Sequence, residues 1–128
     1  MSEYSYRDLE MKVILWAEAR KIIPNSTPLA QARKTGEEVI ELVEASAKMA
    51  LLKRLGEIPG MINSPIFVSE QSKAHNEFRD AVGDVLVTLI NACALADVDL
   101  VDCLDGAYNE IKDRKGTLMP NGIFVKET

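Results

Sequence analysis

Apolar residues recur at three- and four-residue intervals along most of the chain, the period of helices that bury one side. Leu9, Val13, Trp16 and Ala17 carry the first such run. Ser5 stands ahead of it as a cap, and Asp8 occupies the place of the capping-box acid. Pro24 ends the run. Asn25-Ser26-Thr27-Pro28 then reads as a loop that puts Thr27 at the next cap and Pro28 in the first turn, where its missing N–H is not needed. A second helix is predicted from Leu29 to about Leu55, with an apolar face through Ala32, Val39, Val43, Ala47, Ala50 and Leu51. From Gly56 to about Ser72 the pattern breaks at Pro59-Gly60, Asn63-Ser64-Pro65 and the short run Ile66-Phe67-Val68, so a long connection is expected there.

A third, central helix is predicted from about Lys73 to Leu95. Its apolar residues Phe78, Val82, Val85, Leu86, Leu89, Ile90 and Cys93 cover more than one face. Asp99 caps a fourth, which carries Leu100, Leu104, Ala107, Tyr108 and Ile111 and is expected to end at Gly116. Pro120-Asn121-Gly122 followed by Ile123-Phe124-Val125 reads as a turn and a docked extended segment. The expected fold is all-α, a four-helix-type bundle with a short extended C-terminal tail, and 128 residues fit one domain spanning 1–128.

Composition narrows the function classes. Fifteen Lys and Arg against twenty Asp and Glu leave a net charge of −5, which argues against duplex nucleic acid or an anionic membrane as the main partner. The two cysteines, Cys93 and Cys103, make no disulfide framework, and no signal-like apolar core stands near the start; a cytoplasmic location is expected. The apolar surface of the third helix exceeds what one small bundle covers, so a homodimer or higher homo-oligomer is expected.

The chemistry lies in the acids. In Glu37-Glu38-Val39-Ile40-Glu41, Glu41 falls about 40° around the helix from Glu37 and about 60° from Glu38, so the three carboxylates share one side. On the third helix Glu77, Asp80, Asp84, Thr88 and Asn91 follow one another at helical spacing and also line one face. Like charges at i,i+4 repel, and a divalent cation would relieve that repulsion. Hard oxygen ligands suit Mg²⁺, or Mn²⁺ in its place, better than Zn²⁺. A solvated face is the plainer explanation of either acidic run alone. Two opposed runs favour a cage. The carboxylate di-iron pattern needs His three residues after Glu, whereas His75 follows Ser72 at that interval.

Glu37-Glu38-x-x-Glu41, followed on a later helix by Gly83-Asp84-Val85-Leu86, resembles the MazG-like nucleotide pyrophosphohydrolases of the all-α NTP pyrophosphatase superfamily. The likeness covers most of the chain and is nearest to small single-domain, phage-type members. It includes the Ser-x-Pro-x-x-Gln stretch from Ser26 to Gln31 and the Asn-x-x-x-x-Arg-Lys-Gly stretch from Asn109 to Gly116. The resemblance implies a dimerising helical bundle that binds Mg²⁺ and hydrolyses (deoxy)nucleoside triphosphates to the monophosphate and pyrophosphate. Carried over, it makes Glu38, Glu41 and Asp84 metal ligands, with Glu37 a further ligand or the base. The family's Glu three residues before Asp84 falls here on Ala81, and the spacer is longer than usual; Asp80, one residue earlier on the same face, is the expected replacement. Glu77-Phe78-Arg79-Asp80 also fits the family's ExxD spacing literally.

Attack of water on a phosphorus calls for positive charge on the phosphate oxygens and a group that accepts the proton. Lys112, Arg114 and Lys115, with Asn109 one turn earlier, are candidates to clamp phosphates, or else complement the end of the fourth helix. Lys34 either contacts substrate or pairs with Glu38 at i,i+4. Trp16 either stacks on a base or joins the core. Gln31 enters only through the resemblance. Thr88 and Asn91 are expected to satisfy each other across a dimer interface or to meet a base. Two other readings stand beside the enzyme: a non-enzymatic helical dimer whose acidic face is solvated or binds a basic partner, and a phosphohydrolase of the same fold restricted to dUTP or dCTP.

Overall fold

Side-chain oxygens start every long helix. In the computed structural model, which describes residues 2–128 and is 72% helical, α1 (Tyr6–Ala19) opens on a full capping box: Ser5 Oγ accepts from the Asp8 amide and the Asp8 carboxylate accepts from the Ser5 amide. A short helical segment, α2 (Ile22–Asn25), leads to α3 (Pro28–Leu55), where Thr27 Oγ1 accepts from the Ala30 amide at 3.0 Å and Pro28 fills the first turn. The same device starts α4 (Pro65–Leu95), with Ser64 as the cap and Pro65 in the first turn. The connection is therefore shorter than expected. It runs only from Gly56 to Ser64 around one 3₁₀ turn, Met61–Asn63, and Ile66-Phe67-Val68 belongs to the opening turns of α4. Ser64-Pro65, read as the end of a loop sequence, is a helix start.

The helices α3 and α4 pair along their length in opposite directions: Thr35 meets Thr88, Lys48 meets Glu77, and Leu52 packs with Phe67 and Ala74. On α3 the covered stripe is Gln31, Thr35, Glu38, Leu42, Ala45, Met49 and Leu52, alternating four- and three-residue steps as in a coiled-coil seam. Phe67, Ala74, Ala81 and Thr88 are its buried counterpart on α4. This corrects the sequence expectation for α3. Its most apolar face does not pack on α4: Val39, Val43 and Leu51 are 41%, 61% and 57% exposed, and that face lies about 140° around the helix from the seam. Both α1 and α2 pack on α4, where Ala17 is fully buried.

The chain divides into two compact units, Met1–Asp97 and Val98–Thr128. In the second, Asp99 Oδ1 accepts from the Val101 and Asp102 amides and caps α5 (Leu100–Ile111). This helix stops at Ile111, short of the expected Gly116. Gly116 instead begins β1 (Gly116–Leu118), which pairs antiparallel with β2 (Phe124–Lys126) in the register Gly116 to Lys126 and Leu118 to Phe124. The crossing is close enough that a Cβ at position 116 would strike the Val125 carbonyl and the Phe124 ring, so this strand requires glycine. The expected extended tail is thus one arm of a hairpin. Among the described residues no single helix is long and apolar enough to cross a membrane.

Candidate metal centre

The seam between α3 and α4 carries acids where apolar residues would pack better. Glu38 sits in the buried stripe of α3 and is 9% exposed. Glu41, one turn on, and Asp84, across the seam on α4, reach the same point, and one carboxylate oxygen from each lies within 4.8 Å of the others. Three negative charges this close repel unless a cation joins them. Glu41 registers the crowding: the charge on Glu38, a hydrogen bond with it and the nearby Asp84 push its carboxyl above the usual carboxylate range, against the opposing pull of Lys34. A positive group stands beside the buried carboxylate on the same helix. Lys34 Nζ lies 3.5 Å from Glu38 and 3.0 Å from Glu37, and these two acids hold its ammonium protonated beyond the usual lysine range. An exposed lysine is a partial counter-ion for a carboxylate held out of water.

The donor set fits a hard divalent cation. It is all oxygen, no histidine or cysteine belongs to the group, and the arrangement is open on the side of Glu41 and Asp84, both exposed. Glu38, Glu41 and Asp84 could therefore hold Mg²⁺, with further positions left for water or phosphate oxygens.

Beside the cluster a depression of about 420 Å³ is lined by Glu41, Glu44, Lys48, Glu77, Asp80 and Asp84, so the two acids that extend the sequence motif, Asp80 and Glu77, open onto the same space. Ala81, at the position of the family's missing Glu, is 4% exposed and packs in the seam. Glu37 stays outside the three-carboxylate group and pairs with Lys34. Asp84 also walls a second hollow, of about 370 Å³, formed with Leu9, Lys12, Val13, Trp16 and Val87. Trp16 is not core. It is 45% exposed, lines this mainly apolar slot, and has the Arg20 guanidinium over its ring at 5.6 Å.

The remaining candidates separate. Gln31 is half-buried and donates to Ser26 Oγ at 3.1 Å, which ties the loop before α3 to its first turn. Asn109, Lys112, Arg114 and Lys115 belong to the C-terminal unit and are exposed, and the amide of Asn109 donates to Asp105. Because α5 ends at Ile111, only Lys112, its cap residue, stands at the helix end; Arg114 and Lys115 lie in the link to β1. Thr88 and Asn91 do not satisfy each other. Thr88 accepts from Thr35 at 2.8 Å and donates to the Val85 carbonyl, whereas Asn91 is 2% exposed and its Oδ1 has no hydrogen-bond partner.

Sequence reasoning missed Lys48, Glu44 and Thr35. Lys48 lies 3.3 Å from Glu77 and 3.7 Å from Glu70, linking α3 to α4 at the far end of the acidic depression. The available signal was spacing: Glu37, Glu41, Glu44 and Lys48 follow one another at intervals of three and four, so the acidic face continues past the motif and ends on a cation. No family model, curated protein or solved structure matches the chain.

Proposed function

We propose that the chain is a Mg²⁺-dependent nucleoside triphosphate pyrophosphohydrolase of the MazG-like kind, converting a (deoxy)nucleoside triphosphate and water to the monophosphate and pyrophosphate. The observation that carries this reading is the convergence of Glu38, Glu41 and Asp84 from two helices, with oxygens within 4.8 Å of one another. Those residues would hold the ion. When bound, Mg²⁺ supplies positive charge that draws in phosphate oxygens and stabilises the developing charge on the leaving pyrophosphate.

The protein's own groups divide the remaining work. Water forms the new bond to the α-phosphorus and the bond to the bridging oxygen of the pyrophosphate breaks. Glu37, next to Glu38 in sequence and outside the three-carboxylate group, would take the proton released by water. Lys34, already at the cluster's edge, adds positive charge beside incoming phosphates. Asp80 extends the acidic wall in place of the family's glutamate. Trp16 offers a ring for a base in a slot that shares Asp84 with the metal centre. Substrate contacts for Gln31, Asn109, Lys112, Arg114 and Lys115 belong to the same proposal.

Incubation with each common ribo- and deoxyribonucleoside triphosphate and Mg²⁺, with products resolved by chromatography, tests it. Monophosphate plus pyrophosphate is the expected outcome, abolished by Glu38→Gln or Asp84→Asn. Orthophosphate release would point to a different hydrolase, and no turnover of any nucleotide, with no effect of Mg²⁺ on melting, would favour the non-enzymatic helical module. Turnover confined to dUTP or dCTP would restrict the substrate class and leave the mechanism standing.

A further inference from the structure

A hollow of about 670 Å³ lies where α3 ends and α4 begins, and it shares no residue with the acidic depression. Leu52, on its wall, stands eleven residues beyond Glu41, roughly 16 Å farther along the helix. The floor is aliphatic: Leu52 and Ala74 are buried, and Met49 is half-buried beside them. Ile62 of the 3₁₀ turn and Val68 of α4 stand at its edge, 63% and 53% exposed. No aromatic ring lines it, so it offers no surface for a stacked base, unlike the slot at Trp16. Its volume falls within the range of small-molecule sites, about 300–1,000 Å³.

Polar groups gather on the same walls. Lys53, Gln71, Ser72 and His75 line the hollow, all four are exposed, and none of their side chains has a hydrogen-bond or ion-pair partner among the described residues. Lys53 differs from its neighbours on α3. Lys34 and Lys48 each reach two carboxylates, whereas Lys53 does not pair even with Glu57, four residues on and lining the same hollow. Its place in the last turn of α3 accounts for a basic residue there, but not for the donors that α4 sets along the facing wall.

We propose that this hollow binds a medium-chain fatty acid, with the carboxylate held by Lys53 and the alkyl chain laid over Met49, Leu52 and Ala74. Charge selects the head group. Four donor side chains face the space against one carboxylate, Glu57, and the one ammonium, Lys53, matches a single negative charge. The floor selects the body: an unbranched chain follows an aliphatic strip between two helices, and the flexible thioether of Met49 adapts to it. The proposal stands apart from the metal reading, since the two sites have no residue in common.

Calorimetric titration of decanoate into the full chain, at neutral pH in Mg²⁺-free buffer, tests it. Decanoate is expected to bind saturably, decanol at least about tenfold more weakly because the charged hydrogen bond is lost, and decyltrimethylammonium not at all. Lys53→Met should weaken decanoate by about tenfold and leave decanol as it was. Arg54→Met removes the same charge from the next residue, which does not line the hollow, and should leave decanoate binding unchanged. Glu57→Gln should tighten it by removing a like charge, and Val68→Asp, at an exposed residue of the edge, should weaken decanoate and decanol together. No saturable binding of decanoate, equal binding of decanol, or an affinity unchanged in Lys53→Met would each overturn the proposal.

Discussion

The hydroxyls of Thr35 and Thr88 lie 2.8 Å apart near one end of the α3–α4 seam, one helical turn from Glu38 and Asp84. That bond fixes the sliding register of the two helices at the level where the carboxylates meet. Replacing Thr88 by Val removes the acceptor and leaves the half-buried Thr35 hydroxyl without its partner across the seam, at a cost of about 1 kcal/mol. Adding Thr35→Val should cost little more, since the pair is already broken. Urea unfolding of the two single variants and the double checks this; strictly additive losses would show that the two hydroxyls act independently.

The crowded cluster makes an unusual forecast for a charge removal. Glu41 faces Glu38 and Asp84, and without a cation its charge works against the fold. Glu41→Gln should therefore raise the melting temperature measured in EDTA and, at the same time, weaken the rise that Mg²⁺ produces. A bound ion at one hundred times its dissociation constant stabilises by about 2.7 kcal/mol. Glu38→Gln and Asp84→Asn should flatten that response too. Melting curves over a Mg²⁺ series read both effects, and a lower melting temperature for Glu41→Gln in EDTA would contradict the repulsion.

Much of this frame is legible in the sequence, for reasons that differ by residue. Thr27-Pro28 marks the start of α3 because a cap oxygen and a proline at the first turn serve the same free amides. Ser64-Pro65 carries the same signal and was submerged by Pro59-Gly60 and Asn63 just before it, which lengthened the expected loop by a full helical turn and more. The acid motif named Glu38, Glu41 and Asp84, whose oxygens converge, along with Asp80 and Glu37, which stand outside that group; helical spacing alone puts Glu38 and Glu41 on one side. It could not say which face of α3 meets α4. Apolar periodicity pointed to Val39 and Val43, but the seam runs through Thr35, Glu38 and Ala45, where α4 answers with Thr88 and Ala81: the two threonine hydroxyls bond across the seam and the alanines allow close approach. Gly116 was ambiguous by nature: a glycine can end a helix or permit a close strand crossing, and only the partner strand decides.

Tyr6 gives a pH dependence at the alkaline end. Its hydroxyl donates to Glu10 Oε2 at 2.8 Å; partial burial of the group, this hydrogen bond and the Glu10 charge push its pKa up to about 12, with Arg7 opposing. An unfolded tyrosine titrates near pH 10. The stabilising contribution is thus complete below about pH 10 and lost as the pH rises through about 12, because the unfolded chain gives up the proton first. Tyr6→Phe should remove that alkaline loss. The difference in tyrosinate absorbance between wild type and variant, followed against pH, should show one transition near 12, moved downward in Glu10→Gln.

Asn91 sets a stability test whose two arms run in opposite directions. The residue is 2% exposed on α4, one turn beyond Thr88, and its Oδ1 meets no donor. An unpaired buried acceptor carries a desolvation penalty of about 1–3 kcal/mol. Leucine has the same branching and the same number of side-chain heavy atoms, so Asn91→Leu keeps most of the shape and removes that penalty; a gain of about 1 kcal/mol is expected. Asn91→Asp keeps the shape and adds a charge that burial disfavours far more than a neutral amide, so it should lose stability by several times the leucine gain, and lose less at a pH where the acid is protonated. Thermal unfolding of the two variants at pH 7 and pH 4 separates these effects. Should leucine destabilise as much as aspartate does, Oδ1 is satisfied in solution and the site is built around a polar contact.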